Sequence, residues 1–378
     1  MNKSRSLKIA AVATAITLAF APVANAATWK VGGASSVNGL MAACKAKYQA
    51  ATGDDFPYNG TGSGAGKTGL KNGSFDFAFS DSVESAPIAG EIHLPAFVWP
   101  VAILTNTGGS NKPLTLSTET LAKIFAGKIT RWDDEAIVAD NNRPITTIIY
   151  SKNADGSVKK DAKGAPIVLR TQTLTQKRIL PAKPITVFYR SANSGTTNNL
   201  TRAFNNLYPS IWTKSANDSF ATAFPGDITA NPQFFRGAAG SGDVANGVKA
   251  TPYSITYAEV GFAKAPYNLA ITKVINAAGN AIVPSSDSAM AAAAQATVNA
   301  DGIVTFNYAT KDADSYPFTA TTYALALTGK SNSAAIAKTL DYLANNCAKD
   351  NPAEGFGAYT PTNAFAKAFA AQIAKLKG

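Results

Sequence analysis

Short β-branched or aromatic runs alternate along the chain with longer stretches whose apolar residues repeat at helical spacing. Trp29-Lys30-Val31 predicts a first strand that runs into Gly32-Gly33-Ala34-Ser35-Ser36, and Leu40, Met41, Cys44 and Tyr48 then mark a helix. Phe56 to Asn59 reads as a short strand, followed by a glycine-rich turn, residues 60–67, that opens another helix. Phe75 to Phe79 alternates as a strand does and ends at Ser80-Asp81-Ser82. Ala96 to Leu104 predicts one continuous apolar strand, and Ser117 opens a helix containing Leu121, Ile124 and Phe125 that Gly127 closes. The run Ile185 to Phe188 ends at Tyr189-Arg190-Ser191, ahead of a helical pattern with Leu200, Ala203, Phe204 and Leu207. Further on, a Gly-rich turn at 237–242 precedes a helix expected to begin near Asp243, Ile255 to Phe262 is strand-like, and Thr321 to Leu327 reads as a strand. Ser333 to Leu343 and the Ala-rich stretches 288–297 and 363–376 predict helices. Strand, small polar loop, helix: the recurring unit implies α/β layers with loops gathered at strand ends. Residues 144–182 break the rhythm and read as a projecting hairpin insertion with no assigned task.

The first 26 residues stand apart from this pattern. Lys3, Arg5 and Lys8 precede an apolar stretch from Ile9 to Phe20 and a small-residue end, Ala24-Asn25-Ala26, the layout of a cleavable export signal. The apolar stretch is shorter than the roughly 20 residues a membrane span needs. No cysteine lies at the cleavage point, so the reading is an exported protein, periplasmic or secreted, without a lipid anchor. Removing the three cations of that segment lowers the formal charge from +11 to +8. Such a field attracts small anions. Nucleic acid is a poor fit, because no Lys/Arg run or basic-aromatic stripe occurs. With 46% hydrophobic and 16% charged residues, the chain can build two domains.

The chemistry-bearing residues narrow the choice further. The single histidine, His93, sits in Glu91-Ile92-His93-Leu94-Pro95 with no nearby carboxylate or cysteine positioned for catalysis or metal binding, and reads as structural or surface. Two cysteines, Cys44 and Cys347, give no metal-ligand spacing. Three strand-to-helix turns, by contrast, share one composition: Ser35/Ser36, Ser63/Gly64 and Ser194/Gly195/Thr196 each supply hydroxyls and glycine where helix-start N–H groups lack intrahelical partners. Arg190 adds a charged fork at the end of its strand. Converging, these groups would enclose an oxyanion without a metal or cofactor. Taken one at a time, each turn equally suits ordinary N-capping. Gly66-Lys67-Thr68 resembles the close of a P-loop, but its opening position holds Thr61, with Gly60 one place early.

Asp81 sharpens the anion. A carboxylate accepts hydrogen bonds and cannot donate them, so it favours an oxyanion that still carries a proton and penalises one that does not. Hydrogen phosphate meets that condition and sulfate does not. The alternative is an aspartate that caps the next helix or pairs with Arg190.

As an ordered set, Gly33-Ala34-Ser35-Ser36, residues 60–66, Asp76-Phe77-Ala78-Phe79-Ser80-Asp81, residues 127–134 and Tyr189-Arg190-Ser191 with Ser194-Gly195-Thr196-Thr197 resemble the periplasmic phosphate-binding proteins of the phosphate ABC transporter and the related DING proteins. The likeness covers most of the mature chain. It implies a type II periplasmic-binding-protein fold, two α/β domains joined by two crossover strands with ligand in the cleft. One domain would comprise 27–104 and 318–378, the other 105–317 with the insertion. The two chain ends then share a domain, which would bring Cys44 and Cys347 together for a disulfide. By motif, Ser35, Ser36, Ser63, Asp81, Arg190, Ser194, Gly195 and Thr196 would bind the anion. The implied function is a monomeric, non-enzymatic receptor that takes inorganic phosphate to a membrane permease. An exported DING-like phosphatase and a secreted adhesion protein on the same fold are the alternatives. Two positions depart from the family pattern: Ala192 stands where an acidic residue often follows the arginine, and Ser36 stands where an aromatic is common.

Overall fold

The computed structural model describes residues 26–109, 112–142, 144–154, 157–162, 164–175, 178–359 and 364–377. The export signal expected over 1–26 lies, but for Ala26, outside these residues.

Two five-stranded sheets organise the molecule, and they repeat the same wiring. In the first, Tyr58–Asn59, Val31–Gly33 and Phe77–Ser80 run parallel, followed by Thr319–Leu327 and Glu91–Pro100 in antiparallel pairing. In the second, Phe235–Ala238, Thr186–Arg190 and Ser254–Ala258 run parallel, followed by Ala102–Asn106 and Ala270–Ile271 in antiparallel pairing. The fourth strand of each sheet arrives from the other half of the chain, so each lobe holds a strand on loan. The result is the two-lobed α/β architecture expected from the sequence.

Two expectations need correction here. The apolar run Ala96 to Leu104 is divided at Val101: residues up to Pro100 pair in the first sheet, and Ala102 onward in the second. An unbroken apolar run conceals the change because both halves are buried. Val101 N–H donates to Phe318 C=O (2.8 Å), tying the outgoing crossover to the returning one. The segment 286–305, grouped by sequence with the second domain, packs on the first sheet: Ala289, Ala293 and Val304 share a core with Leu70, Ala78, Val98, Tyr323 and Leu325.

Local chemistry explains the helices. Leu40, Met41, Cys44 and Tyr48 form one buried stripe on Asn38–Thr52, and Leu40 and Met41 each contribute roughly 1.5–3 kcal/mol of burial. Cys44 on that stripe is bonded to Cys347 at the end of the π-helical segment Leu343–Cys347, so the chain termini do meet in one lobe. The second lobe is centred on Phe204, Trp212, Phe220, Phe224 and Tyr257, whose rings meet edge-on, tilted or stacked. The insertion is the expected hairpin, Pro144–Tyr150 against Val168–Thr175, and it leaves Ile148, Val168 and Leu169 exposed.

Candidate functional site

Six strand ends, three from each lobe, point into one cleft. Gly33 leads to Ser35, Asn59 to Ser63 and Ser80 to Asp81. Opposite them Arg190 leads to Ser194, Ala238 to Ser241 and Ala258 to Glu259. Ligands of open α/β sheets sit beyond such carboxyl ends. The three turns singled out in the sequence therefore do converge, and a fourth, at Ser241, joins them.

Asp81 is the hub of the first lobe. Its Oδ1 accepts from Ser36 Oγ (2.8 Å) and Thr322 Oγ1 (2.6 Å), and its Oδ2 from Thr196 Oγ1 (3.2 Å). Its backbone N–H donates to Ser63 Oγ (3.0 Å), and its carbonyl accepts from Asn199 Nδ2. A carboxylate offers about four acceptor positions, so Oδ2 retains one. Burial raises the Asp81 pKa, opposed by the hydroxyls of Thr322, Ser36 and Thr196 and by the charge of Arg190. The side chain caps no helix, and among the described residues it forms no ion pair within 4 Å.

Arg190 is the hub of the second lobe and is 1% exposed. Nε donates to Ala239 C=O (2.6 Å) and Nη1 to Ser241 Oγ (3.1 Å). Nη2 is buried and has no partner. A Cβ built on Gly62 would lie 3.0 Å from the Asn193 carbonyl oxygen, so the glycine lets the loop after Arg190 come close to the first lobe. Gly62 also holds φ +121, which other residues rarely adopt. Gly195 plays the same part for Asp81: a Cβ there would stand 2.6 Å from the Asp81 carbonyl carbon. The helix Gly195–Leu207 thus begins directly against the carboxylate, with Ser194 Oγ accepting from Thr197 N–H (3.3 Å) as its cap. Its first N–H groups carry the partial positive charge that suits an anion.

Ser35 Oγ lies 3.1 Å from Ser241 Oγ, a buried contact joining the lobes. Ser36 acts through its hydroxyl, on Asp81. All eight expected residues are thus in one place. Four others were missed by sequence reasoning: Ser241, Glu259, Thr322 and Tyr58. The Tyr58 hydroxyl donates to Ala34 C=O (2.7 Å) and fixes the first loop. Thr322 sits in an apolar strand with nothing to mark it. Ser241 lies inside the glycine-rich turn 237–242, but the helix there starts at Ser241, ahead of the expected Asp243. Beside these residues the cleft encloses about 650 Å³, bordered by Ser35, Ser36, Ser241 and Glu259.

The lobes also grip each other on both flanks. Lys67 Nζ pairs with Asp218 Oδ2 (2.8 Å), with both side chains largely buried. Ser82 Oγ reaches the same carboxylate (3.0 Å), whose Oδ1 accepts from Asn198 Nδ2 (2.9 Å). The lysine of the P-loop-like fragment is thus spent on an ion pair between lobes. On the other flank Lys264 Nζ donates to Ala353 C=O. His93, as expected, is structural: Nε2 accepts from Glu84 N–H (2.9 Å), and burial lowers its pKa to about 4.

Two lobes closing carboxyl strand ends over a polar cleft define a solute-binding receptor. The family model of the PBP superfamily domain matches residues 21–346, and the chain belongs to that superfamily. It is similar to the phosphate-binding protein PstS of Xylella fastidiosa, 28% identical over 316 residues, covering 82% of this chain and 74% of the relative. It is also similar to PstS of Pasteurella multocida, 29% identical over 284 residues, covering 73% and 69%. Among solved structures, the fold is similar to that of PfluDING, a high-affinity periplasmic phosphate-binding protein bound with phosphate, with a TM-score of 0.62, 22% identity and coverage of 91% and 93%. An ancestral soluble variant of the human phosphate-binding protein gives 0.64 at 21% identity, with coverage of 91% and 93%. The resemblance drawn from the ordered motifs is borne out. Among the described residues, no helix is long and apolar enough to cross a membrane.

Proposed function

We propose that this protein is an exported, monomeric receptor that captures inorganic phosphate between its lobes and delivers it to the membrane permease of an ABC uptake system. The observation that carries the reading is the pairing of two incomplete groups. Asp81 Oδ2 has one acceptor position left, and Arg190 Nη2 is a buried donor with no partner. An anion that both donates a proton and accepts charge-assisted hydrogen bonds completes both. Hydrogen phosphate does so, whereas sulfate leaves the Asp81 position facing another anion. The names of the similar proteins point the same way.

A binder is a better account than a hydrolase. The hydroxyls of Ser36, Thr196 and Thr322 all donate to Asp81, and the single histidine is engaged away from the cleft. The commonest base for a hydroxyl nucleophile is an imidazole, and the one imidazole here is buried against Glu84 N–H. For delivery, opening about the two crossovers near Val101 and Phe318 would separate the Asp81 and Arg190 halves and release the ion. Titration calorimetry with phosphate and sulfate at neutral pH is the test. Tight phosphate binding with sulfate at least a hundredfold weaker is expected, and equal affinities would sink the role given to Asp81.

A further inference from the structure

Glu259 is the topological counterpart of Asp81. Each follows the third parallel strand of its lobe, Ser254–Ala258 in one and Phe77–Ser80 in the other. Glu259 is 6% exposed and borders the cleft. Its Oε1 accepts from Ser241 Oγ (3.2 Å), the same hydroxyl that accepts from Arg190 Nη1 and lies beside Ser35 Oγ. With Glu259 ionised, the proton count at Ser241 closes in one way. With its lone pairs receiving Arg190 and Ser35, its single proton goes to Glu259. The arginine therefore reaches a carboxylate through a relay, in a chain whose residue two places on is Ala192.

We propose that Glu259 is the second carboxylate of the anion site, holding Arg190 in position through Ser241 and taking up a proton from solvent as the anion is captured. This rests on the phosphate reading above. The charge balance compels the uptake. Two buried carboxylates, Asp81 and Glu259, share one guanidinium, and a dianion entering between them raises the work of keeping Glu259 ionised. The other charged or titratable groups lining the cleft are Asp243, Lys264, Tyr267 and Glu354. Burial and the neighbouring Asp81 charge already push the Glu259 pKa up to about 7, against the pull of Arg190 and the Ser241 hydroxyl. Glu259 is thus a positioning residue whose protonation is linked to binding.

The linkage has a definite sign. Well below its pKa of about 7 Glu259 already carries its proton, and capture needs none. Above pH 7 a proton must be taken up, so affinity falls by up to tenfold per pH unit relative to a variant that cannot ionise. The test titrates inorganic phosphate into the wild type and Glu259→Gln at pH 6 and pH 8, in pairs of buffers of different ionisation enthalpy. At pH 8 the wild type is expected to take up roughly half to one proton more than the variant, and at pH 6 the two should agree. Equal proton counts at pH 8 would overturn the proposal and leave the phosphate reading standing. Absence of any phosphate binding by the wild type would overturn both. Should Glu259→Gln not fold, infrared difference spectra of the wild type decide: phosphate addition at pH 8 should produce a new protonated-carboxyl band, and no such band refutes the uptake.

Discussion

Asp81 and Glu259 occupy equivalent strand ends in two lobes wired alike, yet their surroundings differ. Asp81 receives three hydroxyls, from Ser36, Thr196 and Thr322, with Arg190 nearby. Glu259 receives one hydroxyl and faces the like charge of Asp81. Both are buried, and burial raises both pKa values. The number of donors decides how far each can remain an acceptor: the crowded carboxylate stays available to receive a proton-bearing ligand, while the sparse one is poised to hold a proton of its own. On the proposed reading, a repeated fold gives two acids separate tasks, one concerned with which anion binds and the other with the pH at which it binds.

Mutations can break this contrast from its centre outward. Arg190→Ala removes the cation between the two acids and should weaken phosphate binding by about 2–5 kcal/mol, roughly thirtyfold to several thousandfold, in a calorimetric titration. Asp81→Asn should have a smaller effect on phosphate but raise sulfate affinity, compressing the phosphate-to-sulfate ratio about tenfold or more. Thermal melting of that variant should move less than the ratio does, because the hydroxyls around position 81 still find an acceptor oxygen. Lys67→Ala strips the flank ion pair without touching the cleft. A loss of about 1–2 kcal/mol in affinity is expected, expressed as faster phosphate release in stopped-flow displacement, because Asp218 keeps Ser82 and Asn198. Replacing residues 151–167 by a short turn should change phosphate affinity less than twofold, since the hairpin stands clear of both acids. A larger effect would assign the insertion a part in closure.

The sequence made the first lobe's acid legible and hid the second's, for a physical reason. Asp81 interrupts small residues right after an alternating strand, so a buried charge was visible as an anomaly. Glu259 falls inside Ile255 to Phe262, where apolar residues continue past the strand end into the turn Val260–Ala263. Periodicity alone carries the strand four residues too far and buries the glutamate in it. The hydroxyl-rich helix starts were readable because helix entry restricts composition locally. Thr322 was not, because a threonine in a buried strand looks like any β-branched residue until the sheet brings it opposite Asp81. The division at Val101 escaped notice for a related reason: burial in either sheet selects the same residues.

The bond between Cys44 and Cys347 spans 303 positions, so the entire second lobe lies inside one covalent ring. A protease that cuts the exposed hairpin opens the ring without dividing the molecule. The two fragments would migrate as one species until reduced, with every strand end of the cleft still held in a single covalent object. That ring turns a chain break into a scar.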